Sequence, residues 1–141
     1  MNDYVKMLER HQEELAQFPI VYAFGQEQFE KAMQKLGLEA SDTEEVCSIF
    51  GAGDIIRKSD APKFLDLLKK HHSELQAAIE ADTTGDGFVF EMFSAELENH
   101  EYGYTGDPTD ALSALGLTLE QVINEPKMLH GFKRACKSQN A

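Results

Sequence analysis

Glu96 and His100 stand four residues apart in the run EMFSAELENHEY, and four residues on a helix is one shared face. A carboxylate and an imidazole so placed can hold a divalent metal or pass a proton. His71 and His72 lie in the preceding helical stretch, and an antiparallel neighbour could bring one of them in as a third ligand. No specific motif supports the set, such as two histidines flanking a glutamate at fixed spacing. His71 and His100 both fall on apolar stripes, where a histidine is more often a core residue with one satisfied hydrogen bond. Glu96 and His100 are therefore weak metal candidates, and no metal or cofactor is expected.

The stretch DTTGDGFVFEMF, residues 82–93, has the outline of a calcium loop. Such a loop places oxygen ligands at positions 1, 3, 5, 7 and 9, a glycine at 6 and a bidentate glutamate at 12. Asp82, Thr84, Asp86 and Gly87 fit positions 1, 3, 5 and 6, but position 12 is Phe93. Phe93 shares an apolar stripe with Val89 and Leu97, so the core takes it. The stretch reads as a helix stop near Gly85 and a fresh start near Phe88.

Nucleophilic and phosphate chemistry have little support. The strand, Gly-x-Ser-x-Gly and helix arrangement of a serine hydrolase is absent. FGAGD, residues 50–54, is a lone glycine turn without the Gly-Lys-Ser/Thr of a phosphate loop. Cys47 and Cys136 are far apart and in no ligand spacing, which points to reduced thiols, with a single disulfide as the alternative. The best surface candidate is NHEYGYTGD. There Tyr102 and Tyr104 sit among Glu101 and Asp107, and tyrosines are rigid, amphipathic contact residues. Alternatively, both rings cap the core and expose only their hydroxyls.

The elements that must carry these residues are mostly helical. Tyr4, Met7, Leu8, His11 and Leu15 keep helical spacing over about 3–17, and Pro19 ends the run. IVYAF, 20–24, is a strand candidate. A helix through Phe29, Met33 and Leu36 closes at Gly37. SDTEEVCSIF reads as a cap followed by a short helix, and 54–58 as a second strand. Asp60 or Ser59 can cap a long helix over about 60–81, and another covers about 88–101. EYGYTGDP reads as a loop, and a helix capped by Asp107 runs to Gly116. Thr118 with Gln121 forms a capping box, and Pro126 starts or kinks the last helix. KLGLEASDTEEV and ALGLTLEQV repeat a helix, Leu-Gly-Leu, cap and helix pattern, too few times for a repeat protein. ALGLTLEQVINEPKMLHGFKRA resembles a helix-turn-helix DNA reader, but an acid-only segment precedes it and would repel phosphate.

That segment is the main feature of the composition. The 141 residues carry a net charge of −12. Between His71 and Pro126 there are twelve acids and neither lysine nor arginine, while the other 13 acids are matched by all 13 bases. Direct binding to a nucleic-acid backbone is not expected, since no cation there can displace counterions. A basic partner, a metal ion or plain solubility fits better. The hydrophobic fraction of 42% and nine phenylalanines point to a folded chain. No apolar run approaches the ~18–20 residues of a membrane span, and the charged first residues lack a signal-peptide core. The expected location is cytoplasmic.

Four stretches, FPIVYAFGQEQFEKAMQKLGL, IIRKSD, GDGFVFEMFSAELENHEYGYT and ALGLTLEQV, together resemble a family of small uncharacterised proteins of gut-type bacteria, their phages and mobile elements. The resemblance covers roughly residues 17–135. It implies a cytoplasmic accessory protein, and it carries over no activity and no site residues. By class analogy only, acidic phage proteins of this size often inhibit a nucleic-acid-binding host protein by imitating its polyanionic ligand.

The expectation is a single globular domain over 1–141, mainly α, a compact bundle of five to seven helices with a minor two-stranded β element from 20–24 and 54–58. The expected function is binding a protein partner with a basic surface. Glu91, Glu98, Glu101, Tyr102, Tyr104 and Asp107 are the contact candidates. The competing readings are a metal-dependent enzyme built on Glu96 and His100, and a structural or oligomeric module.

Overall fold

The computed structural model describes residues 2–140. They form eight α-helices and three short strands: α1 (Asp3–Leu15), β1 (Val21–Tyr22), α2 (Gln26–Lys35), β2 (Val46–Cys47), β3 (Asp54–Arg57), α3 (Ala61–Ala81), α4 (Phe88–Asn99), α5 (Tyr102–Thr105), α6 (Thr109–Ala114), α7 (Leu119–Ile123) and α8 (Pro126–Gln139). The mainly helical class is as expected. The helix count exceeds five to seven by one, because residues 102–105, expected as loop, close a four-residue helix. The sheet has three antiparallel strands in the order β1-β3-β2 rather than two.

The third strand replaces the short helix expected after residue 42. Thr43–Glu45 form a single 3-10 turn. Val46 and Cys47 then pair with Arg57 and Ile56, so a hairpin supplies the backbone partners that a helix would have supplied.

The chain divides into two compact units, His11–His72 and Met1–Arg10 with Ser73–Ala141. In the first, adjacent residues of β3 face opposite ways, as a period of two requires. Ile55 joins Ala32, Met33 and Leu36 of α2, while Ile56 joins Ala61 and Phe64 of α3 with Leu15 of α1. The sheet is thus covered on both faces. In the second unit α4 is central, and Val89, Met92, Phe93, Ala95 and Leu97 are buried. Phe93 meets Phe132 of α8 edge-to-face at 5.3 Å, and Ala111, Leu112 and Val122 complete the core.

Local signals place several joints as the sequence indicates. Both Leu-Gly-Leu runs end helices through a left-handed glycine, Gly37 at φ 76° and Gly116 at φ 70°. The N–H groups of Leu38 and Leu117 reach back to the carbonyls of Met33 and Leu112. This is the double closure expected at such ends. The Thr118 and Gln121 capping box is present in full, and Pro126 opens α8 in its first turn. Among the described residues no helix is long and apolar enough to cross a membrane.

Candidate functional site

Asp82 organises the connection between α3 and α4. Its carboxylate accepts the N–H groups of Gly85 at 2.9 Å, Val89 at 3.0 Å, Gly87 at 3.1 Å and Thr84 at 3.2 Å. Burial works against its charge, yet the donors led by Val89 outweigh it and hold the carboxyl below its ordinary range. Asp86 accepts from His130 Nε2 at 2.7 Å and Arg134 Nη1 at 2.6 Å, and these bonds lower its pKa in the same sense. Arg134 also lies over the Phe90 ring at 4.5 Å. Both aspartates of the calcium-loop outline are therefore engaged by the chain itself, and Phe93 is in the core.

Glu96 is buried, with 6% of its surface exposed. Its carboxylate accepts Asn99 Nδ2 at 3.1 Å and the hydroxyl of Tyr4. Burial and then that carboxylate push the Tyr4 hydroxyl above its usual range. His100 follows α4 as its C-cap, and its backbone N–H bonds the Glu96 carbonyl. His71 lies in the other unit, where it pairs with Glu14 at 2.8 Å and stacks on His11 at 3.7 Å. Among the described residues no three His, Cys, Asp or Glu side chains gather as a metal set.

The acidic and aromatic loop separates into distinct roles. Tyr104 is 94% exposed. Tyr102 is half-buried against the core and hydrogen-bonds Cys136, which with burial raises the Tyr102 pKa. Burial, countered in part by Tyr102, raises the Cys136 thiol too. Cys47 and Cys136 are free thiols. Glu98 and Glu101 are exposed, and Glu101 holds a left-handed conformation, φ 58°, ahead of α5. Asp107 accepts the hydroxyl of Thr109 at 2.6 Å and its N–H at 3.0 Å. Glu91 accepts the Asp3 N–H at 2.6 Å, while its carbonyl takes Asn2 Nδ2 at 2.9 Å. It secures the start of α1. Truncating Tyr104 to alanine is expected to leave stability within about 0.5 kcal/mol, whereas Tyr102→Ala costs about 1–3 kcal/mol. Urea unfolding of both variants distinguishes contact residue from core cap.

Asp54, which the sequence reading passed over, is a second carboxylate ringed by donors from its own loop. Only 2% exposed, it accepts from the N–H groups of Ile49 at 2.7 Å, Phe50 at 3.0 Å and Ala52 at 3.1 Å, and from Ser48 Oγ at 2.8 Å. Burial opposes its charge, but these four donors hold the carboxyl far below the ordinary range. A ring of backbone N–H groups is how a glycine turn cradles a phosphate, and here the chain's own carboxylate fills it. Beside it, Tyr22, Phe24 and Phe50 are exposed.

Two cations of α8 are engaged by groups of the acid-only segment. Lys127 Nζ donates to the Ile79 carbonyl at 2.6 Å, and Arg134 is tied to Asp86. The helix-turn-helix outline shares this limit: α7 has five residues, and α8 turns Gly131, Phe132 and Ala135 into the core.

Fold and site together define a mainly helical protein of two compact units, one built around a small antiparallel sheet and the other bearing the acid-only segment. A model of a family of unknown function (DUF7659) matches residues 3–138, and the chain belongs to that family. No curated protein and no solved structure matches it.

Proposed function

We propose that the chain is a small acidic binding protein that acts in the cytoplasm by contact with a protein partner of basic surface. The charge segregation carries this reading: residues 71–126 hold twelve acids and no lysine or arginine. The geometry supports it by leaving Glu98, Glu101, Asp110, Glu120 and the Tyr104 ring exposed. Such a surface steers a cationic partner and fixes its orientation. In its narrower form, the protein is carried by a phage or mobile element and occupies the basic site of a nucleic-acid-binding host protein.

The test uses the full chain as bait in an extract of its native source, beside a Glu98→Lys/Glu101→Lys double variant. Glu91 and Glu96 are left intact because they hold the fold together. Retention of a specific partner is expected to fall about tenfold in the variant and to weaken as salt rises from about 0.05 to 0.5 M. Retention indifferent to both changes overturns the proposal. Displacement of the partner by duplex DNA supports the narrower form, and its failure removes that form alone.

A further inference from the structure

We propose that an apolar cleft in the unit containing α4 and α8 receives one bulky apolar side chain of a basic segment in the partner protein, a docking mode that rests on the reading above. The cleft has a volume of about 290 Å³. That lies at the lower edge of the ~300–1,000 Å³ typical of small-molecule sites, so it suits an anchoring side chain better than an extended cofactor. Met92, Ile79, Leu117 and Met128 line it. Met92 is 1% exposed, and thioethers adapt to the shape of an incoming group.

The mouth sets the charge of the occupant. Glu80 and Glu125 border the cleft. Glu80 forms no ion pair among the described residues, and the Glu125 carboxylate accepts the Met128 N–H at 2.7 Å. Lys127, the cation of the lining, turns its ammonium to the Ile79 carbonyl at 2.6 Å. An apolar pocket with carboxylates at its mouth is complementary to a leucine or phenylalanine flanked by lysine or arginine. Apart from Lys127 and Met128, the lining comes from the acid-only segment.

The experiment is methyl NMR of the full chain titrated with two synthetic peptides of about twelve residues. Both are lysine-rich; one carries a central leucine, and its twin has serine there. Binding of the leucine peptide is expected to shift the Ile79, Leu117 and Met128 methyls. The serine twin should bind about tenfold more weakly, and Glu80→Lys should weaken the leucine peptide. Equal binding of both peptides without cleft shifts overturns the cleft and leaves the charge reading standing. Failure of both peptides to bind overturns both. Shifts at the same methyls with n-octylamine but with neither peptide overturn the peptide occupant in favour of a small amphiphile.

Discussion

Asp54→Ala is expected to lower stability by about 2–4 kcal/mol, since it strips the partner from four donors that converge on a buried carboxylate. Ser48 Oγ and the N–H groups of Ile49, Phe50 and Ala52 have no other acceptor described for them. Part of the cost is recovered because Phe50 and Ala52 are exposed enough for water to reach the loop. Asp54→Asn keeps the shape and one acceptor oxygen, so an intermediate loss is expected. The pH dependence has a definite sign. The native carboxyl sits below its unfolded value, so the folded state holds fewer protons on this group. Its stabilisation is complete above the unfolded pKa of about 3.9 and is lost as pH falls below that toward the native value. Urea unfolding between about pH 7 and 3 should show a steeper acid loss in the native chain than in Asp54→Asn. Equal slopes would mean the carboxylate charge does not hold this loop.

The second large effect reverses an ordinary rule. Exchanging a glycine inside a helix for alanine normally gains about 0.5–1 kcal/mol. Gly131 lies inside α8, yet Gly131→Ala is expected to cost about 2–3 kcal/mol, because a close-packed contact cannot absorb the extra carbon. Its Cβ would stand 2.7 Å from the Gly85 carbonyl oxygen and 2.7 Å from Val89 Cγ1. Gly85→Ala should be at least as damaging. That residue holds φ 88°, and its Cβ would stand 2.5 Å from the Lys127 carbonyl oxygen, so backbone strain adds to the clash. Both glycines let α8 approach the Asp82 loop backbone to backbone. A rise in the denaturation midpoint of Gly131→Ala would refute the close approach.

The parts legible in the sequence are those whose cause is local. The Thr118 and Gln121 box, the two left-handed glycines and the bounds of α3 depend on residues a few positions apart, and the structure places them as the spacing predicts. β2 escaped because two residues show no periodicity, and its pairing partner Arg57 lies eleven positions on. α5 escaped because it is a single turn among residues that also make loops. The candidate site was less legible still. Glu91 was read as a contact residue, but its carboxylate meets Asp3 across 88 positions. Glu96 was read beside His100, but its partners are Asn99 and Tyr4. The signal for Asp54 was available in principle: a lone acid closing a glycine turn, followed by Ile-Ile-Arg, is placed to accept the N–H groups of that turn.

The division of the chain also orders its assembly in time. Residues 11–72 are continuous, and the Asp54 bonds span at most six positions, so this unit closes short loops and has all its parts once residue 72 has been synthesised. The other unit is split. Its first ten residues must wait until α4 exists, because Glu91 and Glu96 hold Asp3 and Tyr4. During synthesis the apolar side of the opening turns of α1 therefore stays uncovered while the other unit completes itself. The Glu91 contact is among the last to form and among the first to open when the start of α1 frays.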